Sequence, residues 1–132
     1  MKKVIFVLMV GIIGSCTLLD TGIIIDPPNV PSVNICDNVA SDADADVMAE
    51  KIKALAFKDE RMDRAKLVTK GYCFVSSQVV TIMGAFSFPD AELEIAKRLY
   101  HQATDKENYD IVIDALVHKS DRDELKAYIL EH

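Results

Sequence analysis

Phe57-Lys58-Asp59-Glu60-Arg61-Met62-Asp63-Arg64-Ala65-Lys66 decides the fold, because its pattern returns twice along the 132-residue chain. Phe57, Phe88 and Val117 stand in register at separations of 31 and 29 residues. Five positions before each anchor come Ile52, Met83 and Val112, and two before come Leu55, Phe86 and Ala115. Eight after come Ala65, Ala96 and Leu125, each followed by a lysine: Lys66, Lys97 and Lys126. This is the pattern of a helical hairpin repeated three times. A small or apolar residue at plus eight permits close helix approach. The lysine one step on, about 100° round the helix, keeps its ammonium in water.

Working outward from these junctions, apolar residues recur at helical spacing. Met48, Ile52, Leu55 and Ala56 mark one face of a first helix, and Met62, Ala65 and Val68 or Thr69 a second that Gly71 ends. Ser76 or Ser77 is placed to cap a third carrying Val79, Val80 and Met83. Pro89-Asp90 opens a fourth with Leu93, Ala96, Leu99 and Tyr100. Thr104 with Glu107 reads as a capping box for a fifth helix holding Val112, Ile113 and Leu116. Ser120 starts a sixth with Leu125, Tyr128 and Ile129 on its inner face. The expected fold is therefore all-α, a compact bundle of about six short helices in three hairpins. One hairpin cannot bury its own apolar faces, but three stacked together can.

The amino end reads as an address. Lys2 and Lys3 precede an apolar run from Val4 to Ile13, then Gly14 and Ser15, the order of charge, apolar stretch and cleavage region in a secretory signal. Ile13-Gly14-Ser15-Cys16 resembles the lipobox of bacterial lipoprotein signal peptides, which implies cleavage before Cys16 and acylation of that cysteine. The alternatives are a lipid-free secreted form and an uncleaved anchor from Val4 to Leu19. The anchor's span falls short of the roughly 30 Å hydrocarbon core. The expected organisation is a signal peptide at 1–15, an acidic tether at 16–46 and a helical domain at 47–132. Residues 17–46 hold six acidic residues, no basic one and three of the four prolines, with no helical period. Ile23-Ile24-Ile25 within them is apolar enough to pack on something.

Cleavage takes the net charge from −6 to −8, an acidic balance with no general pull toward nucleic acid phosphates. It also leaves Cys36 and Cys73 as the pair available for a disulfide in an oxidising compartment. With Cys36 in the tether and Cys73 in the domain, two separate thiols are expected, Cys73 as a small buried apolar residue between Tyr72 and Phe74. Asp42, Asp44 and Asp46 imitate the opening of a calcium loop, but Val47 replaces its turn glycine and Lys53 its bidentate glutamate. They read instead as acids at the positive end of a helix.

The repeat, together with Ser76-Ser77-Gln78-Val79-Val80, Phe86-Ser87-Phe88, Leu93-Glu94-Ile95-Ala96-Lys97 and Asn108-Tyr109-Asp110, resembles the domain of unknown function 4476 family. The resemblance covers about Met48 to Ile129. Met62 departs from the family's Leu, Ser76-Ser77 from its Leu-Thr, and Val117 from a third Phe. It implies a small helical domain, often behind a signal peptide, common in secreted proteins of Bacteroidota. It implies no catalytic residue, substrate or cofactor.

No pair among His101, His118 and His132 has metal-ligand spacing, and no phosphate loop or nucleophile elbow is present. His101 and His118 fall near expected helix ends, where an imidazole meets terminal carbonyls. No catalytic, metal or cofactor-binding residue is assigned. Residues 47–88 carry +3 while 89–132 carry −5, and Lys51, Lys53, Lys58, Arg61, Arg64, Lys66 and Lys70 form a candidate basic surface for an acidic partner or for the acidic tether. The expected role is a lipid-anchored cell-envelope protein, exported across the inner membrane and held to a membrane through Cys16. Its helical domain serves as a binding or scaffolding module for an envelope protein. The alternatives are a carrier of a small apolar ligand between helices and an envelope enzyme without a recognisable motif. Tyr72, Phe74, Tyr100 and Tyr109 are the aromatics available to a partner if they are not core.

Overall fold

In the computed structural model, which describes residues 36–132, Ser41 caps the first helix, α1, Asp42–Lys53. Its hydroxyl accepts from the Asp44 N–H at 3.1 Å while its own N–H donates to the Asp44 carboxylate at 2.9 Å. This capping box satisfies two groups at the helix start and explains why the helix begins five residues ahead of Val47. Asp42 and Asp44 thus belong to the first helical turn. Ala45, Met48, Ala49 and Ile52 form the buried stripe. The segment from Cys36 to Asp46, expected as the end of the tether, belongs to the helical body. The expected signal peptide, Cys16 and the rest of the expected tether lie outside the described residues.

The chain continues through α2, Lys58–Val68; α3, Ser76–Met83; α4, Pro89–Tyr100; a 3-10 turn at Lys106–Asn108; α5, Asp110–Ala115; and α6, Lys119–Glu131. The fold is all-α. Gly71, at φ +83°, supplies the left-handed residue that turns the chain after α2, a conformation that costs a side-chain-bearing residue energy. Two expected caps act otherwise. Ser76 is the first residue of α3, and its N–H and hydroxyl both donate to the Asp105 carboxylate, at 2.7 and 2.9 Å. Thr104 donates its N–H to the Phe74 carbonyl at 2.9 Å and does not cap α5.

The helices form two layers. α1 and α5 flank α3, α2 and α6 flank α4, and α1 packs on α2, α3 on α4, and α5 on α6. Lys58 and Asp90, each in the first turn of its helix, pair at 2.6 Å, and Lys66 meets Glu94 further along both, so α2 and α4 run parallel. Each hairpin opens with a few extended residues laid beside the next. Cys73 donates its N–H to Asn38 and accepts from Ala40, while Phe74 donates to Gln102 and accepts from Thr104, all at 2.9 Å. Neighbours in this array are sequence neighbours, as in short solenoids.

That pairing brings Cys36 to Cys73. The two form a disulfide with a Cα separation of 5.9 Å, correcting the expectation of separate thiols. Spacing could not reveal it, because the tether's last residues run alongside the α2–α3 loop.

Burial follows the repeat. Ala65, Ala96 and Leu125 are fully buried, as are Ile52 and Val112, with Met83 nearly so. Phe57 and Phe88 are extended residues immediately before their helices, and Val117 lies one residue before its counterpart, His118. All three are solvent-facing, at 68, 37 and 71% exposure. The third hairpin is shifted by one position at its junction: Ala115, which the repeat aligns with Leu55 and Phe86, is exposed, and Leu116, on the expected face of the fifth helix, is buried.

Candidate functional site

Arg61 lies half-buried on α2 and serves as a staple. Its Nε donates to the Leu55 carbonyl at 2.6 Å, and its terminal nitrogens donate to the carbonyls of Ala85 and Lys53 and to the Ser87 hydroxyl. Helix ends leave carbonyls without intrahelical partners, and a planar guanidinium meets several at once. Arg122 repeats the device on α6, donating to Leu116 and Val117 at 2.7 and 3.0 Å. In each case the nearest acceptor lies six residues before the arginine. This equivalence is hidden in the sequence register, which sets Asp121 opposite Arg61.

Two other members of the basic set are also engaged. Lys58 pairs with Asp90, and Lys66 lies 3.8 Å from Glu94. The Asp90 carboxylate, accepting from Lys58, holds that ammonium's pKa above its usual value, and Lys58 in turn holds Asp90 below the usual carboxylate range. Lys51, Lys53 and Lys70 are exposed and Arg64 is half-buried, none with an ion-pair partner among the described residues.

Gln78, part of the motif that carries the family resemblance, ties the first two hairpins. Its Oε1 accepts from the Val75 N–H at 3.0 Å, and its Nε2 donates to the Ala40 carbonyl and the Asp42 carboxylate, both at 2.9 Å. Gln102 does the same for the next joint, donating to the carbonyls of Thr69 and Tyr72. These amides give loop carbonyls hydrogen-bond donors from the neighbouring hairpin.

The three histidines are not gathered into one cluster. His118 precedes α6, at the helix's N-terminal end, not the carbonyl end. His101, after α4, meets the Tyr128 hydroxyl at 2.6 Å, and His132 stacks on the Tyr128 ring. Burial, His132 and Lys106 lower the His101 pKa, in that order of importance. Cys73 is in the disulfide. Among the described residues no three His, Cys, Asp or Glu side chains converge as a metal site, and no helix is long and apolar enough to cross a membrane. Phe74, Tyr100 and Tyr109 are core and Tyr72 is partly buried against it.

The openings between hairpins are open surface grooves edged by charged side chains. One of about 230 Å³ between α2 and α4 is lined by Lys58, Asp63, Lys66 and Glu94. Another of about 690 Å³ between α4 and α6 is lined by Leu93, Lys97, His118 and Glu124. Burial, reinforced by Asp121, raises the Glu92 pKa at this second joint. The surface also carries apolar residues outside the predicted set: Val47, Phe57, Leu67, Val117 and Leu130. Their exposure depends on which helices have neighbours, which the local pattern does not encode.

A family model described as a domain of unknown function, DUF4476, matches residues 39–129. The chain belongs to the DUF4476 family. The match begins at Val39, within the extended residues that precede α1, and ends at Ile129, so the DUF4476 domain takes in α1 to α5 and all of α6 but its last two residues. No curated protein and no solved structure matches the chain. The DUF4476 assignment identifies the domain and names no activity.

Proposed function

We propose that this DUF4476 protein is exported, acylated at Cys16 and held on a cell-envelope membrane, where its helical domain acts as a non-catalytic binding or scaffolding module. The observation that carries this reading is the Cys36–Cys73 disulfide, because such bonds persist in oxidising compartments and are rare in a reducing cytosol. It agrees with the amino-terminal order of Lys2-Lys3, apolar run and Cys16. Two or more acyl chains, at about 0.8 kcal/mol per buried methylene, make attachment effectively permanent.

The partner is an envelope protein with an acidic surface, met by Lys51, Lys53, Arg64 and Lys70, the members of the basic set not engaged in ion pairs or in the Arg61 staple. Radiolabelled palmitate should enter the wild-type protein and not Cys16→Ala, and Cys36 and Cys73 should resist alkylation until reduced. An unlabelled protein with freely alkylated thiols refutes the placement. Capture from solubilised envelopes should then return an acidic protein whose recovery falls with salt and with Lys51→Glu/Lys53→Glu. Recovery unchanged in both respects removes the basic surface from the reading.

A further inference from the structure

The internal joints of the α2–α4–α6 layer share one stitch. A lysine directly after a fully buried residue of one helix reaches a carboxylate one or two residues before the matching buried residue of the next: Lys66 to Glu94, two before Ala96, and Lys97 to Glu124, one before Leu125. At the second joint the contact continues one turn further, where His101 meets Tyr128. Thus Lys97 of α4 and His101 at its C-cap, four residues apart, face Glu124 and Tyr128 of α6, also four apart.

The pattern has two open ends. Lys126 follows buried Leu125 as Lys97 follows Ala96, and one turn on stands Leu130, 88% exposed. Asp63 precedes buried Ala65 as Glu94 precedes Ala96, and one turn on stands Leu67, 68% exposed. Neither Lys126 nor Asp63 has an ion-pair partner among the described residues. We infer that the outer face of α6 docks on the outer face of α2 of a second copy of this chain, Lys126 against Asp63 and Leu130 against Leu67, extending the array head to tail.

The contact is polar and reversible. Where α4 buries Ala91 and Ile95 within the array, α2 carries the exposed Glu60 and half-buried Arg64, so the seam between copies lacks the apolar area of the internal joints. Such an interface is heterologous, with different patches on the two copies. A head-to-tail interface of this kind adds copies in one direction, each new copy presenting the same pair of free faces. Salt weakens the assembly, because its charged members are exposed.

The test is zero-length carbodiimide coupling of the full-length chain, half of it isotopically labelled, followed by mass spectrometry of the linked peptides. The internal Lys97–Glu124 link reports that the domain is folded. A Lys126–Asp63 link joining light to heavy chains is the expected result, with sedimentation rising with concentration and falling with salt. Lys126→Glu should abolish that link and the concentration dependence while leaving the internal link intact, and mixing it with Asp63→Lys should restore association. The proposal is overturned if the internal link forms without any intermolecular Lys126–Asp63 link, or if Lys126→Glu leaves sedimentation unchanged.

Discussion

Replacing Arg61 separates a structural arginine from a binding one. Its guanidinium holds Leu55 O and Ala85 O at 2.6 and 3.0 Å and reaches Lys53 O and Ser87 Oγ at 3.4 and 3.1 Å, joining the end of α1, the α1–α2 loop and the α3–α4 loop. A hydrogen bond from a charged donor contributes about 1.5–3 kcal/mol, and half-burial with one long member reduces the set to about 2–3 kcal/mol. At about 4–8 °C per kcal/mol for a domain of this size, Arg61→Ala lowers Tm by roughly 10–20 °C. Arg61→Lys should recover only a minor part, because one ammonium cannot span several carbonyls arranged around a planar fork. Thermal unfolding followed by far-ultraviolet circular dichroism, with the disulfide intact in every variant, reads both effects. A loss below about 3 °C for Arg61→Ala, or full recovery with lysine, refutes the staple and returns Arg61 to the surface available for a partner.

Three further outcomes follow from the same geometry. Reducing Cys36–Cys73, which are separated by 37 residues, or replacing both with serine, should cost roughly 3–4 kcal/mol by the chain-entropy relation, seen as a lower urea midpoint; an unchanged midpoint denies the cross-link a role. Tyr109 donates to the Ala96 carbonyl at 2.7 Å, and burial, with smaller contributions from Tyr100, Asp105 and Tyr128, lifts its phenol far above the usual range. Its folded pKa is raised, so its contribution is fully present below the unfolded value of about 10 and is lost as pH climbs above it; Tyr109→Phe should flatten this alkaline limb of the urea midpoint. Asp44 is the opposite case. Hydrogen bonds from the Ser41 backbone and then its side chain lower its pKa from 3.8, so its contribution is present above that value and is lost as pH falls through the depressed folded pKa. Ser41→Ala, which keeps the backbone bond, should shrink the acid-induced loss of stability between about pH 5 and pH 2 by the side chain's share, and an identical acid limb in that variant would show the Ser41 hydroxyl to be inert.

Much of the architecture is local and therefore legible in the linear chain. Buried residues at helical spacing, Pro89 opening α4, Gly71 closing the turn after α2, and the fully buried trio Ala65, Ala96 and Leu125 are dictated by backbone preference and by the need of each hairpin to hide one face. The family motifs could be read for the same reason: Gln78 and Asn108-Tyr109-Asp110 stand at fixed distances from helix starts.

What lies between hairpins was decided by tertiary structure. Cys36 finds Cys73 because Asn38–Ala40 lie beside the α2–α3 loop, an arrangement with no periodic signature. Arg61, Lys58 and Lys66 look like free surface charge until the neighbouring hairpin supplies carbonyls and carboxylates, and Arg122 becomes Arg61's counterpart only once the third junction's one-residue shift is seen. Helical period reports which side of a helix is inward. It cannot report which loop, which carboxylate or which second hairpin waits there, because those partners arrive from some 30 residues away and are selected by how three similar units stack.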